Sequence, residues 1–240
     1  MAAPVLVAHQ PAYLPWPGFF SRLVDDAEEL VLLDHVQAAE RGWQNRNFIR
    51  GTDRSGAPVR LTVPVRRSFG QSIQDVRTAD DTWRARHWRA LTETYRHAPY
   101  WPLHQEALEA VYGTPWSQLA PLNEALLRLL LDAFGLPVPL VRSSQLAPVG
   151  QQTDMLIDLC RIRGASRLRV GTGALGYLDH ARLAEHEITL EVATYCPAAY
   201  GSGRSWHSSL SALDLLLHEG PRTLDVLRAQ ARTETKALTR

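Results

Sequence analysis

Lysine is nearly missing from this 240-residue chain: of 26 basic residues only Lys236 is lysine, so 25 are arginine. Codon bias accounts for such a preference, but arginine's planar fork also suits carboxylates and phosphates, which makes single Arg positions worth weighing. An excess of one charge is missing too. The 26 basic residues face 25 acidic ones for a net +1, which argues against a dedicated nucleic-acid surface and leaves room only for a local basic pocket. Two cysteines, Cys160 and Cys196, cannot build a disulfide framework. No run of about 18 apolar residues is present to span a membrane. The opening Met-Ala-Ala-Pro-Val-Leu-Val-Ala-His lacks a basic segment and a long apolar one, so a cytoplasmic chain without a leader is expected. Nine histidines show no HExxH or other ligand spacing, and no metal site is expected. What is there is an ordinary globular composition, 45% hydrophobic and 21% charged.

Residues 4–8 form a short apolar run that reads as a buried strand. A Pro-rich loop follows, then helical spacing over 19–29 and a second apolar run at 30–33. Strand, loop, helix and strand within about 34 residues outline a βαβ unit and hence a parallel, doubly covered sheet. Residues 59–65 alternate at period two, and Pro64 marks an edge strand. Residues 80–134 are helical in pattern. Strands are expected at 138–141, 168–170 and 188–192, and helices at 153–163, 178–187 and 209–218. The predicted fold is therefore α/β and Rossmann-like, a mostly parallel sheet with flanking helices. It forms one domain over 1–230 with a helical insertion at 80–134, followed by a polar tail at 231–240 that frays.

Ligands of open α/β sheets bind beyond the carboxyl ends of the strands. Three expected strands end in polar residues: His9-Gln10, Asp34-His35 and Gly171-Thr172-Gly173. His9 can hydrogen-bond a phosphate or move a proton, or it is satisfied by backbone groups at the strand end. In Trp43-Gln44-Asn45-Arg46-Asn47-Phe48-Ile49-Arg50, Arg46 and Arg50 stand four apart. They share a helical face as an anion clamp, or the segment is a solvated loop anchored by Trp43 and Ile49. Gly171, Gly173 and Gly176 carry the 1-3-6 glycine spacing of a dinucleotide loop, a weak signal because Glu191 lies inside a strand. A glycine turn approaching some substrate is the better reading. Cys196 with His207 suggests a nucleophile and base, against a structural cysteine. Cys160 reads as core. Asp214 is either a surface carboxylate or reaches back into a site.

His9-Gln10-Pro11, Tyr13-Leu14-Pro15-Trp16, Gly18-Phe19-Phe20, Leu33-Asp34, Val36-Gln37 and Trp43-Gln44-Asn45-Arg46 together resemble the opening of the WbqC-like family. Leu61-Thr62-Val63-Pro64-Val65, Gly171/Gly173, Tyr177-Leu178-Asp179 and Ser211-Ala212-Leu213-Asp214 continue the resemblance over residues 5–220. Members occur with genes for surface polysaccharide or other secondary pathways, and some are labelled glycine transferases. The resemblance thus implies transfer of glycine or another small acyl group to an amine. Tyr200-Gly201-Ser202-Gly203 departs from the pattern and points to a different acceptor. The opening is also similar to that of nucleotidylyltransferases and pantothenate synthetase-like ligases, which implies ATP with Mg as possible cofactors. The second His of their motif is missing here, replaced by Pro15-Trp16-Pro17-Gly18.

The expected site then has His9 and Asp34 as catalytic residues. Gln10, Tyr13, Gln37, Trp43 and Asn45 contact substrate, Arg46 and Arg50 hold its phosphate or carboxylate, and Gly171, Gly173, Tyr177 and Asp179 form the other wall. Its partners are small-molecule substrates, with a carrier-bound or tRNA-bound donor as one form. Two other classes stay open: a non-catalytic scaffold of a biosynthetic assembly, and a Cys196-dependent acyltransferase.

Overall fold

The computed structural model describes residues 4–53, 55–201 and 206–236. Ser202 and Gly203 of the departing segment lie outside the described residues. The chain runs β1 (Val5–His9), α1 (Pro17–Phe20), β2 (Glu29–Leu32), β3 (Arg46–Ile49), β4 (Val59–Thr62), β5 (Val65–Arg66) and β6 (Arg77–Thr78). Three helices follow, α2 (Thr82–Tyr95), α3 (Trp101–Gly113) and α4 (Leu119–Phe134). The chain continues through β7 (Leu140–Arg142), α5 (Ser143–Leu146), α6 (Gln152–Arg163) and β8 (Arg167–Gly171). It ends with α7 (His180–Glu185), β9 (Thr189–Tyr195), α8 (Ala212–Glu219), α9 (Thr223–Gln230) and β10 (Ala231–Thr235).

Apolar side chains alternate between two cores along the central strands, which is why the sheet is covered on both faces. Leu6, Ala8, Val31, Leu168 and Val170 pack with α6 and α7, while Val7, Leu30 and Leu32 pack on the larger core that holds α4 and α8. Six strands pair in the order β10-β9-β8-β1-β2-β7. All neighbours are parallel except β10, which runs antiparallel to β9. The fold is thus α/β with a mostly parallel sheet.

Four local expectations are corrected. The helix expected over 19–29 stops at Phe20 and passes into turns, and the left-handed φ of 74° at Asp25 bars any helix from running through to 29. The strand expected over 59–65 breaks at Pro64, which has no N–H to donate, so β4 and β5 pair with different partners, β3 and β6. Arg46 and Arg50 do not share a helical face, because Arg46 opens strand β3 and Arg50 follows its end. The tail does not fray over residues 231–235, since Ala231 to Thr235 pair with Tyr195 to Glu191 as the charged edge strand β10. Among the described residues no helix is long and apolar enough to cross a membrane.

Candidate functional site

The connection leaving β1 runs over one face of the sheet, where Phe19, Phe20 and Leu23 join the larger core. The connection leaving β8 runs over the other, where Leu183 joins the smaller core. Neighbouring parallel strands whose chains leave in opposite directions open a crevice at their carboxyl ends. Here it encloses about 180 Å³. Its polar wall is His9 and Gln10 after β1, Arg22 from the next turn, and Gly171, Gly173 and Tyr177 after β8. Among the described residues no carboxylate lines it.

The His9 ring packs edge-on against Phe19 and Trp16, with centroids 4.7 and 5.8 Å away. Its Nδ1 lies 2.7 Å from the Gln10 carbonyl, which can only accept, so Nδ1 carries the proton and Nε2 presents a lone pair. Burial, helped by the Arg22 cation, pushes its pKa down to about 3. His9 is therefore neutral at neutral pH and acts as a hydrogen-bond acceptor, which narrows the proton-moving role expected of it. Gln10 is oriented by a relay. Gln44 Oε1 accepts from the Ala39 amide at 3.1 Å, so its Nε2 must donate to Gln10 Oε1 at 2.8 Å. That leaves the Gln10 Nε2 amide as a donor.

Arg22 was not singled out in the sequence. Its residue surface is 9% exposed. Nη1 donates to the carbonyls of Gly18 (2.8 Å) and Phe19 (3.3 Å), whereas Nε is buried without an acceptor. Leaving such a donor unmet costs about 1–3 kcal/mol. No ion pair reaches the guanidinium among the described residues, and burial pulls its pKa down to about 10. It lies flat against Gly171, where a Cβ would sit 1.9 Å from Nη2. That contact explains why glycine stands there.

The remaining expected residues are placed elsewhere. Asp34 is 1% exposed and filled: it accepts from Ser143 Oγ (3.1 Å), Ser144 N (2.9 Å) and Ser144 Oγ (2.7 Å). It holds the start of α5 to the end of β2, which is a structural role. Tyr13 is fully buried against the helices, its hydroxyl 2.8 Å from His87 Nδ1 and 2.6 Å from the Tyr112 hydroxyl. Gln37 is exposed and bridges Ser72 through its backbone. Asn45 donates to the Val63 carbonyl and Arg46 to the Gly42 carbonyl. Arg50 pairs with the buried Asp214, donating from Nε at 2.9 Å and Nη2 at 2.7 Å. The anion clamp of Arg46 and Arg50 is therefore not formed. Asp179 caps α7, accepting from the Arg182 amide. Glu191 pairs with Arg167 and Arg169 inside the sheet, and the glycine loop follows β8 instead of opening the fold, so the dinucleotide reading has no support.

The two opening motifs serve each other. Leu14 has a φ of 42°, a left-handed conformation that is costly for a branched side chain. Asn47 Nδ2 donates to the carbonyls of both Tyr13 and Leu14, and its Oδ1 accepts from the Phe48 amide at 2.8 Å. Asn47→Ala is expected to lower stability by about 1–3 kcal/mol, because three backbone groups lose their partner. A urea titration checks it through a lower midpoint at unchanged slope.

Other cavities lie away from the crevice. One of about 290 Å³ is lined by Trp16, Trp43, Asn47, Ser208 and Ser209. Another, about 510 Å³ between α6 and α7, has its charges already paired, Arg182 with Asp154 and Arg161 with Asp158. Cys160 is core, its thiol pushed up to about 12 by burial. Cys196 is exposed, and among the described residues no hydrogen bond joins it to His207, whose Nδ1 lies 2.7 Å from the Ser209 hydroxyl.

Comparison with known proteins agrees with the motifs quoted above. An uncharacterized protein of Mycobacterium tuberculosis, Rv1507c, is 28% identical over 224 residues, covering 91% of this chain and 95% of that protein. No solved structure matches. The WbqC-like protein family matches residues 10–226, almost the whole of the chain that builds the crevice, and the protein belongs to that family.

Proposed function

We propose that this protein is a transferase that moves a small amino-acid or acyl group, glycine first among them, onto an amine during polysaccharide or secondary-metabolite biosynthesis in the cytoplasm. The carrying observation is the crevice between β1 and β8, where five residues marked in the sequence (His9, Gln10, Gly171, Gly173 and Tyr177) meet the unpaired Arg22. Read outward from β1, the parallel strands follow the order β7-β2-β1-β8-β9. In Rossmann-like sheets this order places the ligand at the β1/β8 reversal, which supports that finer fold reading.

In the proposed step the amine nitrogen forms a bond to the acyl carbon while the bond from that carbon to its leaving group breaks. The nitrogen's surplus proton leaves to solvent or to the departing group. The lone pair of His9 Nε2 orients the amine, and Arg22 and Gln10 meet negative charge on the donor. With ATP as activator, Mg²⁺ would have to be brought by the nucleotide, because among the described residues no carboxylate lines the crevice.

Amino-acid-dependent exchange between ATP and labelled pyrophosphate tests the reading, beginning with glycine. Exchange is expected, and His9→Ala should lower it roughly a hundredfold, the scale seen when one positioned polar group is removed. Without exchange, the assay moves to thioester and aminoacyl-tRNA donors. Full turnover by folded His9→Ala and Gln10→Ala variants overturns the site. Ligand binding with no turnover on any donor supports a non-catalytic member of a biosynthetic assembly instead.

A further inference from the structure

We propose that the β1/β8 crevice is a built phosphoryl subsite in which Arg22, and not Arg46 or Arg50, is the cation that receives the substrate's phosphate. The assignment shares the crevice with the transferase reading and rests on it for the nature of the substrate. Three observations point the same way. Arg22 is nine-tenths buried, lines the crevice and has no carboxylate partner among the described residues, while acids on neighbouring segments are taken: Glu191 and Asp26 pair with Arg167 and Arg169. Capping of the Gly18 and Phe19 carbonyls accounts for Nη1 alone. Among the described residues Nε is buried without an acceptor and no acceptor reaches Nη2, which is left for an oxyanion.

Second, the position is held open by Gly171, since any Cβ there would displace the guanidinium. A residue that merely capped α1 would need no such accommodation from β8. Third, beside the His9 Nε2 acceptor the crevice holds donors on separate segments: the Gln10 amide fixed by Gln44, and the Tyr177 hydroxyl, on a residue 48% exposed. Donors from three directions match the three terminal oxygens of a phosphoryl group better than the two oxygens of a carboxylate. The enclosed volume of about 180 Å³ holds that group and its ester oxygen, leaving the rest of a larger substrate outside.

The test is calorimetric titration of the full chain with inorganic phosphate and with pyrophosphate, at fixed ionic strength. Saturable pyrophosphate binding is expected, and Arg22→Met should weaken it about tenfold or more, with Arg22→Lys falling between. A large excess of glycine or acetate should leave the isotherm unchanged. If Arg22→Met does not fold, Gly171→Ala decides: it keeps the charge but moves the guanidinium, and the same loss is expected. Absence of saturable binding, equal affinity in the Arg22 or Gly171 variants, or displacement by glycine or acetate overturns the assignment. Pyrophosphate binding that depends on Arg22 in a protein with no acyl transfer keeps the subsite and removes the transferase reading. Acyl transfer with pyrophosphate affinity independent of Arg22 does the reverse.

Discussion

Asp214→Ala is expected to lower the unfolding free energy by about 3–5 kcal/mol, the range found when one partner of a buried ion pair is removed. Asp214 is 0% exposed and accepts from both Nε and Nη2 of Arg50 and from the Tyr200 hydroxyl at 2.7 Å. Arg50 is itself buried, and its backbone amide donates to the Tyr95 hydroxyl at 3.2 Å. Burial first, and the nearby Asp214 carboxylate second, push the Tyr200 phenol well above its ordinary range. It therefore donates and does not ionise. Truncation at 214 strands the guanidinium and a phenol together. These groups tie the end of β3 to α8, so the loss should spread to the wall that carries Asn47 and Trp43. Urea unfolding measures it. The pair Arg50→Met with Asp214→Leu, combined with Tyr200→Phe, should recover most of the deficit, because apolar groups of similar volume often replace a buried pair without loss. An unchanged midpoint in Asp214→Ala would show that water reaches the site and that the ion pair contributes nothing.

The central strands were legible because burial on both faces leaves a continuous apolar word such as Val5-Leu6-Val7-Ala8. The crevice was legible in outline from one rule, that polar residues at adjoining strand ends meet, and His9, Gln10, Gly171, Gly173 and Tyr177 do. Arg22 was not. Its meaning lies in lacking a partner, and a sequence shows an arginine without showing what fails to reach it. Nor was the pairing of Arg50 with Asp214, 164 residues apart. The β3–β4 hairpin was hidden for a local reason: four residues, Arg46-Asn47-Phe48-Ile49, carry too few alternations to separate period two from period 3.6. Edge strand β10 was hidden because four of its five residues are exposed, so it has no apolar face to read. Asp34 and Tyr13 show the converse: both are polar groups beside the expected site whose hydrogen bonds go elsewhere, to Ser143 and Ser144 at the start of α5 and to His87 and Tyr112 on α2 and α3.

Stability is expected to fall steeply as the pH drops from 6.5 toward 4, because burial lowers the pKa of His9, His35, His87 and His104, and most of all those of His9 and His87. His87 is 5% exposed, and desolvation, its largest perturbation, pushes its pKa down to about 4. Its Nδ1 lies 2.8 Å from the Tyr13 hydroxyl, which lies 2.6 Å from that of Tyr112; in the neutral ring with its proton on Nε2, Nδ1 accepts from Tyr13 and Tyr13 from Tyr112. A proton on Nδ1 would turn that acceptor into a donor and break the relay at its centre. His9 is lowered further, to about 3. Above pH 6.5 both rings are neutral in the folded and the unfolded chain, and the stability is fully present. Below it the unfolded chain takes up protons that the folded chain refuses, so stability is lost until each folded pKa is reached. Each ring contributes a slope of about 1.4 kcal/mol per pH unit across that window. Urea midpoints measured from pH 7.5 to 4 read the combined slope. His87→Gln keeps a hydrogen-bonding side chain without a titratable ring, and should be less stable at pH 7.5 yet reduce the slope below 6.5 by one ring's share, about 1.4 kcal/mol per pH unit. A slope unchanged in that variant would place the acid sensitivity outside the Tyr13–His87–Tyr112 relay. The further loss of slope on adding His9→Asn would then measure how much the crevice histidine alone contributes.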